Sequence, residues 1–362
     1  ETDRERERGR ESITPMSSSP ALSPLLSVLL SGLCAPVTLL PAVLLLLLPC
    51  LVLLKLRLGT GPSLRHTRGR TIAHRCGNIH SPDEPENTIQ GMRHSCGVGV
   101  DGVEVDVLVS QDGVPFVFHD FSFARLCGVD THSHHTPWKH IAALSFCAFN
   151  AAVVQGVDLK YRNSPPHVPS LDEMVKQVLA DDDLLFYIEI KEIFRLNALC
   201  VALSNIFKEH PELYRRACII SFNPYALYKI RSLDPNICTV VLIRKKPISS
   251  WASSCPEAFP WWVHCMPSFW DRILYWSCWT WIPWFVGASG VGVHNSILSL
   301  DDVRKFQQRG YEVNVWVVND EQRKQDLLDL GASVTTDTLF SRRCRPTEEE
   351  EEAASSCSPS SS

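Results

Sequence analysis

Between Thr71 and Leu339 the chain alternates short β-rich runs with helical stretches. That rhythm is the signature of a parallel α/β fold, and it excludes most other architectures. The strand-like runs fall at 71–74, 102–109, 115–119, 184–191, 218–222, 238–243, 290–294, 312–318 and 333–336, with helical stretches at 87–96, 171–179, 194–209, 225–233, 300–309 and 321–330. Only SQDGV separates Val109 from Pro115, whereas a parallel crossover needs about a dozen residues. The run at 115–119 is therefore a hairpin partner or an irregular return, and eight parallel strands remain. Residues 71–340 have the length of a (β/α)8 TIM barrel carrying a small insertion.

The flanks differ in character. From Ser12 to Leu54 there are 43 residues without a formal charge. A bilayer core of about 30 Å needs roughly 20 apolar residues of helix, so 21–54 reads as one retained membrane anchor. A signal peptide would have a shorter apolar region and a small-residue cleavage site, but here the run continues into Lys55 and Arg57. Pro41 and Pro49 are kinks that a membrane helix tolerates. Residues 1–20 read as a non-native or disordered N-terminus with Met16 a candidate start, 55–70 as a basic linker, and 341–362 as a disordered acidic and Ser-rich tail holding Glu348–Glu352. A chain that is 45% hydrophobic is too apolar to be disordered throughout, and a net charge of −5 argues against nucleic acid as a partner. The 14 cysteines form no CxxC pair, so a zinc ribbon is not expected.

Chemistry concentrates on a few strands. In GVEVDVLV, Glu104 and Asp106 share one face and Val103, Val105 and Val107 the other. FYIEIK repeats the device with Glu189 and Lys191. Carboxylates on inward faces are costly to bury unless they hold a cation. Three oxygen ligands suit a divalent metal, with Mg2+ preferred over Ca2+. A metal-free ion pair with Lys191 is the alternative. His74 and His119 end strand-like runs and could act as general acid and general base, while Arg75 and Lys191 could neutralise a phosphate.

The motifs HRCGNIHSPDEPENT, GVEVDVLVSQDGVPFVFHD, IEIK, VNVWVVND and GASVTTDTL, in this order, resemble the glycerophosphodiester phosphodiesterase family. The hydrophobic N-terminus and the 215–247 stretch are similar to its membrane-anchored animal branch, which acts on glycerophosphoinositol and related lyso-lipids. The resemblance implies a TIM barrel with Glu104, Asp106 and Glu189 as metal ligands, His74 and His119 as the acid/base pair, and Arg75 and Lys191 on the substrate phosphate. It further implies that Glu86 and Asn87 shape the pocket and hydrogen-bond to the ligand, and that Trp316 lines the pocket or packs the barrel. The implied reaction is metal-dependent hydrolysis of glycerophosphodiesters or lyso-lipids to glycerol 3-phosphate and an alcohol, in an integral protein of the plasma membrane or endomembranes. A catalytically weak membrane adaptor on the same barrel is the alternative.

Four features lie outside this reading. Cys76 stands where the family usually has Gly after HR, which matters if the position needs positive φ. Between Trp251 and Trp284 lie eight of the ten tryptophans, and 273–293 carries no charge. A second span there would split the barrel, so the segment reads as a lip in the headgroup region, with packing on the barrel as the alternative. His132, His134, His135 and His140 read as a solvent loop rather than a zinc site. Finally, the basic residues after the apolar run favour a cytosolic domain, whereas the family analogy favours a lumenal or extracellular one; the latter is the expectation.

Overall fold

The computed structural model describes residues 54–77, 85–146 and 166–339. The expected N-terminus at 1–20, all but the last residue of the anchor at 21–54, and the tail at 341–362 lie outside the described residues. Among the described residues no helix is long and apolar enough to cross a membrane.

Nine strands form one sheet: β1 (Thr71–Ala73), β2 (Gly102–Val109), β3 (Pro115–Val117), β4 (Leu185–Ile190), β5 (Ala217–Ser221), β6 (Cys238–Ile243), β7 (Gly290–His294), β8 (Glu312–Trp316) and β9 (Ser333–Thr336). All neighbours are parallel except β2–β3, and the pairing of β1 with both β9 and β2 closes the sheet on itself. This is the expected eight-stranded barrel, with the 115–119 run resolved as an antiparallel hairpin partner. Helices α1 (Ile89–Val98), α2 (Leu171–Leu179), α3 (Leu196–Glu209), α4 (Pro224–Leu233), α5 (Pro247–Ser254), α6 (Pro267–Thr280), α7 (Leu300–Gln308) and α8 (Glu321–Asp329) surround it. Ser170 and Ser299 start α2 and α7 as capping boxes, each accepting from the backbone three residues on while that residue's carboxylate returns the bond.

Alternation along the strands produces two cores. Val103, Val105, Val107, Ile188, Val291 and Val315 face the helices and are fully buried. Inside the barrel, Ile72, Leu185, Tyr187, Cys218, Cys238 and Val240 form a second apolar layer beneath the polar mouth. Gly102 belongs to this interior: a Cβ there would lie 2.6 Å from Leu185 Cβ and 2.8 Å from Ile72 Cδ1, so only Gly fits.

Two expectations require correction. The basic stretch within 55–70 is not a free linker from Arg57 onward. Leu58 N donates to Phe285 O (3.0 Å), Arg231 Nη2 to Gly59 O (2.9 Å), and Arg68 makes twin bonds to Glu312 (2.6 and 2.7 Å). Leu64, only 2% exposed, plugs the barrel interior, so the sequence's polarity concealed a single apolar anchor. The histidine segment is not a plain solvent loop either. His134 is buried and stacks on Phe194 at 3.9 Å, although the histidines form no metal group among the described residues.

The uncharged 273–293 stretch is α6, a short helix at Ile282–Phe285 and β7. It is part of the barrel wall and not a span. Trp279 packs on Phe306 at 5.1 Å, while Trp261 and Trp276 are 76% and 62% exposed.

Candidate active site

Phase along β2 and β4 carries Glu104, Asp106 and Glu189 into the barrel near the C-terminal ends of the strands, where Asp106 and Glu189 are direct neighbours. One oxygen from each of the three carboxylates lies within 4.8 Å of the others, and all three residues are buried. Lys191, next in phase on the same strand line, sits 3.1 Å from Glu189 Oε1 and 3.5 Å from Asp106 Oδ1. Arg75 Nε is 3.6 Å from Asp106 Oδ2. Three carboxylates against these two cations leave one negative charge uncompensated.

The charges respond accordingly. Burial, then the neighbouring Asp106 and Glu189, push Glu104 well above the usual carboxylate range. Burial also raises Glu189, against the pull of Lys191. Asp106 falls instead: burial opposes ionisation, but Lys191, His119, Arg75 and the Asn87 amide outweigh it. Glu104 Oε1 is buried with no hydrogen-bond partner. An orphaned carboxylate oxygen inside an all-oxygen cluster fits a hard divalent cation, so these residues can hold the implied metal.

The two histidines stand beside this cluster. β1 ends at Ala73 and the chain turns through His74–Cys76 with Arg75 and Cys76 at φ 51° and 62°. The turn aims the Arg75 amide at Glu104 Oε2 (2.8 Å) and leaves His74 Nε2 3.9 Å from that same oxygen. His74 Nδ1 lies 2.5 Å from Asp337 Oδ1, just beyond β9. Burial works to raise the Asp337 carboxyl, but the His74 hydrogen bond and charge outweigh it and bring its pKa down to about 2. His119 follows the hairpin strand; the bond from Phe118 N to Asp106 O (2.9 Å) brings it to the cluster, and its Nδ1 meets Asp120 Oδ1 at 2.5 Å. Burial and then the Lys191 ammonium hold His119 below the usual histidine range. Each imidazole is thus oriented by a carboxylate, leaving the other nitrogen available.

Glu86 and Asn87 are buried and their polar atoms are used within the protein. Asn87 donates to Asp106 Oδ2 (2.8 Å) and accepts from Asp106 N (3.1 Å), while Glu86 accepts from Arg75 and Arg125. They shape the site by fixing Asp106 and Arg75, and the second N–H of Asn87 Nδ2 has no partner among these bonds. Trp316 closes β8, edge-on to His294 (4.5 Å) and Phe222 (5.4 Å), with its Nε1 buried and unpartnered. It joins the interior packing at the mouth.

Sequence reasoning missed Asp120, Asp337, Arg125 and Arg244. The first two follow a strand-end residue directly, in HD and TTD, and carried a signal that could have been read. Arg125 lies exposed on the short helix Ala124–Cys127 and joins Asp120 to Glu86 only through the fold. Asp120, Arg125 and Arg244 of the missed residues, with His119 and Lys191 of the expected ones, line an open cleft of about 350 Å³ that Trp251 also borders.

A TIM barrel whose mouth holds three convergent carboxylates, flanking cations and two carboxylate-backed imidazoles has the composition of the phosphodiesterase barrels. The chain belongs to the glycerophosphoryl diester phosphodiesterase family, which its residues 74–339 match. It is 28% identical over 282 residues to glycerophosphodiester phosphodiesterase 1 of Bos taurus, covering 77% of this chain and 80% of that protein. A shorter match, 30% over 112 residues, joins 26% of this chain to 21% of the human glycerophosphoinositol inositolphosphodiesterase GDPD2. Among solved structures, an Oleispira antarctica phosphodiesterase in complex with sn-glycerol-3-phosphate has the same fold, with TM-score 0.57 and 22% identity over 76% of this chain and 96% of that one.

Proposed function

We propose that the protein hydrolyses glycerophosphodiesters (glycerophosphoinositol, glycerophosphoethanolamine or related lyso-lipids) to glycerol 3-phosphate and an alcohol, with a divalent metal held by Glu104, Asp106 and Glu189. The observation that carries this reading is the buried carboxylate trio with an orphaned oxygen, set between His74 and His119. Mg2+ is favoured over Ca2+ because three compact side-chain ligands leave coordination positions for water and phosphate, which Mg2+ retains. When bound, the metal lowers the pKa of an attacking hydroxyl and neutralises phosphate charge.

The protein's own groups do the rest. Lys191 and the Arg75 guanidinium receive the phosphate oxygens. His119, held neutral by burial, takes the proton from the attacking hydroxyl as its oxygen bonds to phosphorus. His74, whose Nδ1 is braced by ionised Asp337, delivers a proton to the departing alcohol as the P–O bond breaks. With a glycerol hydroxyl as nucleophile the first product is a cyclic phosphate, which water opens with the two roles exchanged; with water as nucleophile one step suffices.

The test is release of glycerol 3-phosphate from glycerophosphodiesters by the purified protein. Chelation should abolish it, Mg2+ should restore it, and Glu104→Gln should lose it. No release with any divalent ion would move the adaptor reading ahead.

A membrane setting is part of the proposal. Phe269, Ile273 and Trp276 line one exposed face of α6 at helical spacing, and Trp261, Trp281 and Trp284 extend the apolar surface. Indole rings favour the headgroup region. Arg57, just after the uncharged segment, stacks on Trp284 at 4.5 Å. We place the catalytic domain on the lumenal or extracellular side. Protease protection of sealed vesicles tests the side, and quenching of tryptophan fluorescence by brominated lipid tests the contact.

A further inference from the structure

Among the groups bounding the cleft beside His119, one cation has no use in the chemistry above. Arg244 directly follows β6, and alternation places it on the interior side, above Val240 and Leu242. Its guanidinium lies 4.8 Å over the Phe222 ring, and Trp251 packs edge-on against the same ring at 6.4 Å. Arg244 Nε is buried with no hydrogen-bond partner, and among the described residues the side chain forms no ion pair. The other cleft cations are engaged: Lys191 with Asp106 and Glu189, Arg125 with Glu86 and Asp120. Of the two acids whose charge reaches Arg244, Glu189 is paired with Lys191 in the carboxylate trio and Asp271 is committed elsewhere. Asp271 accepts from the amides of Ile248 and Ser249 and from the Ser249 hydroxyl, and so caps the start of α5.

Stripping water from a guanidinium without supplying an acceptor is unfavourable, because each unmet donor forfeits its hydration. A stacked aromatic platform fixes the plane of the fork but offers it no lone pair. Nearby His132, on the same cleft, also has a buried unpartnered Nδ1. Among the described residues, the Arg244 guanidinium therefore has no anion in contact on this cleft.

We propose that Arg244 forms a second anion subsite that recognises a carboxylate or an additional phosphate carried by the leaving alcohol. The protein would then select glycerophosphodiesters with acidic head groups over otherwise identical neutral or cationic ones. This rests on the phosphodiesterase reading of the same mouth. Phe222 beneath the guanidinium and Trp251 on the cleft wall shield one side of the pair from water, which strengthens a charge-assisted bond there.

The experiment compares substrates that differ by one anionic group: glycerophosphoserine against glycerophosphoethanolamine, and a glycerophosphoinositol monophosphate against glycerophosphoinositol. In the wild type kcat/KM favours the acidic member of each pair. Arg244→Gln lowers the acidic-to-neutral ratio by about tenfold or more, mainly through KM, as loss of a charge-assisted bond requires. Arg244→Lys restores part of the ratio, and Arg244→Glu inverts it. The serine and phosphoinositol arms separate carboxylate from phosphate recognition, and a change in either supports the subsite. A ratio that stays within twofold in both pairs overturns it, as does an equal loss for all four substrates, which would place Arg244 on the shared glycerol phosphate. Calorimetric binding of O-phosphoserine against O-phosphoethanolamine gives the same comparison without turnover. A wild type that hydrolyses none of the diesters therefore defeats the phosphodiesterase reading, while the binding difference still decides the subsite.

Discussion

At the residue scale the site works through paired restraint. Asp337 and Asp120 each hold one imidazole nitrogen, and Asn87 holds both sides of Asp106. If His119 must be neutral to accept a proton, its depressed pKa places the acid limb of kcat/KM below the ordinary histidine titration, and activity rises with pH through that limb. A pH-rate profile checks this; a limb above pH 7 would contradict the assignment. Cys76 makes a second case. Its φ of 62° shows that the position does demand the left-handed region in which Gly is at ease, and a side chain there costs about 1–2 kcal/mol. Yet the Arg75–Glu104 bond is intact and the thiol is wholly buried, with its pKa pushed well up by burial and then by Glu104. Cys76 is thus no nucleophile. Alkylating reagents at neutral pH should leave activity in place, and loss of turnover matched to modification of Cys76 by mass spectrometry would refute this.

At the element scale, strand phase does most of the positioning. The alternation in GVEVDVLV and FYIEIK was enough to place three carboxylates and Lys191 inside one barrel, because a period of two leaves no other choice once the Val face meets the helices. The turn after β1 and the partners Asp337 and Arg125 were less legible. The strand-end place of Asp337 could be read, but its partner could not: local pattern does not announce which residues 263 or 39 positions apart will meet. The docking of 57–70 was hidden for a related reason, since one Leu among basic residues does not look like a core element. Close strand packing also yields a prediction. A methyl group added at Gly102 would meet Leu185 and Ile72 below 3.0 Å, so Gly102→Ala should destabilise by about 1–3 kcal/mol in denaturant unfolding. An unaltered midpoint would mean that the strands part more readily than the spacing implies.

At the scale of the whole molecule, folding and ligation are coupled. The barrel must bring Glu104, Asp106 and Glu189 together against their mutual repulsion, which the two cations only partly offset. A divalent ion that binds the folded chain alone stabilises it by about 2.7 kcal/mol at a hundredfold excess over its Kd. Thermal unfolding with and without Mg2+ should show an upward shift in the wild type, and Glu104→Gln should abolish it. A shift that persists in the variant would mean that the ion binds elsewhere.

The strap formed by residues 57–70 has a topological consequence. Its bonds reach β6, α4, β8 and the turn before β7, so it seals the end of the barrel remote from the reaction. A protease cut upstream of Arg57 would leave the base of the barrel corked by Leu64. A nick between Gly59 and Ser63 would free only the Leu58 and Gly59 ties, because Thr67 and the Arg68–Glu312 pair still hold Leu64 over Tyr187 and Cys238.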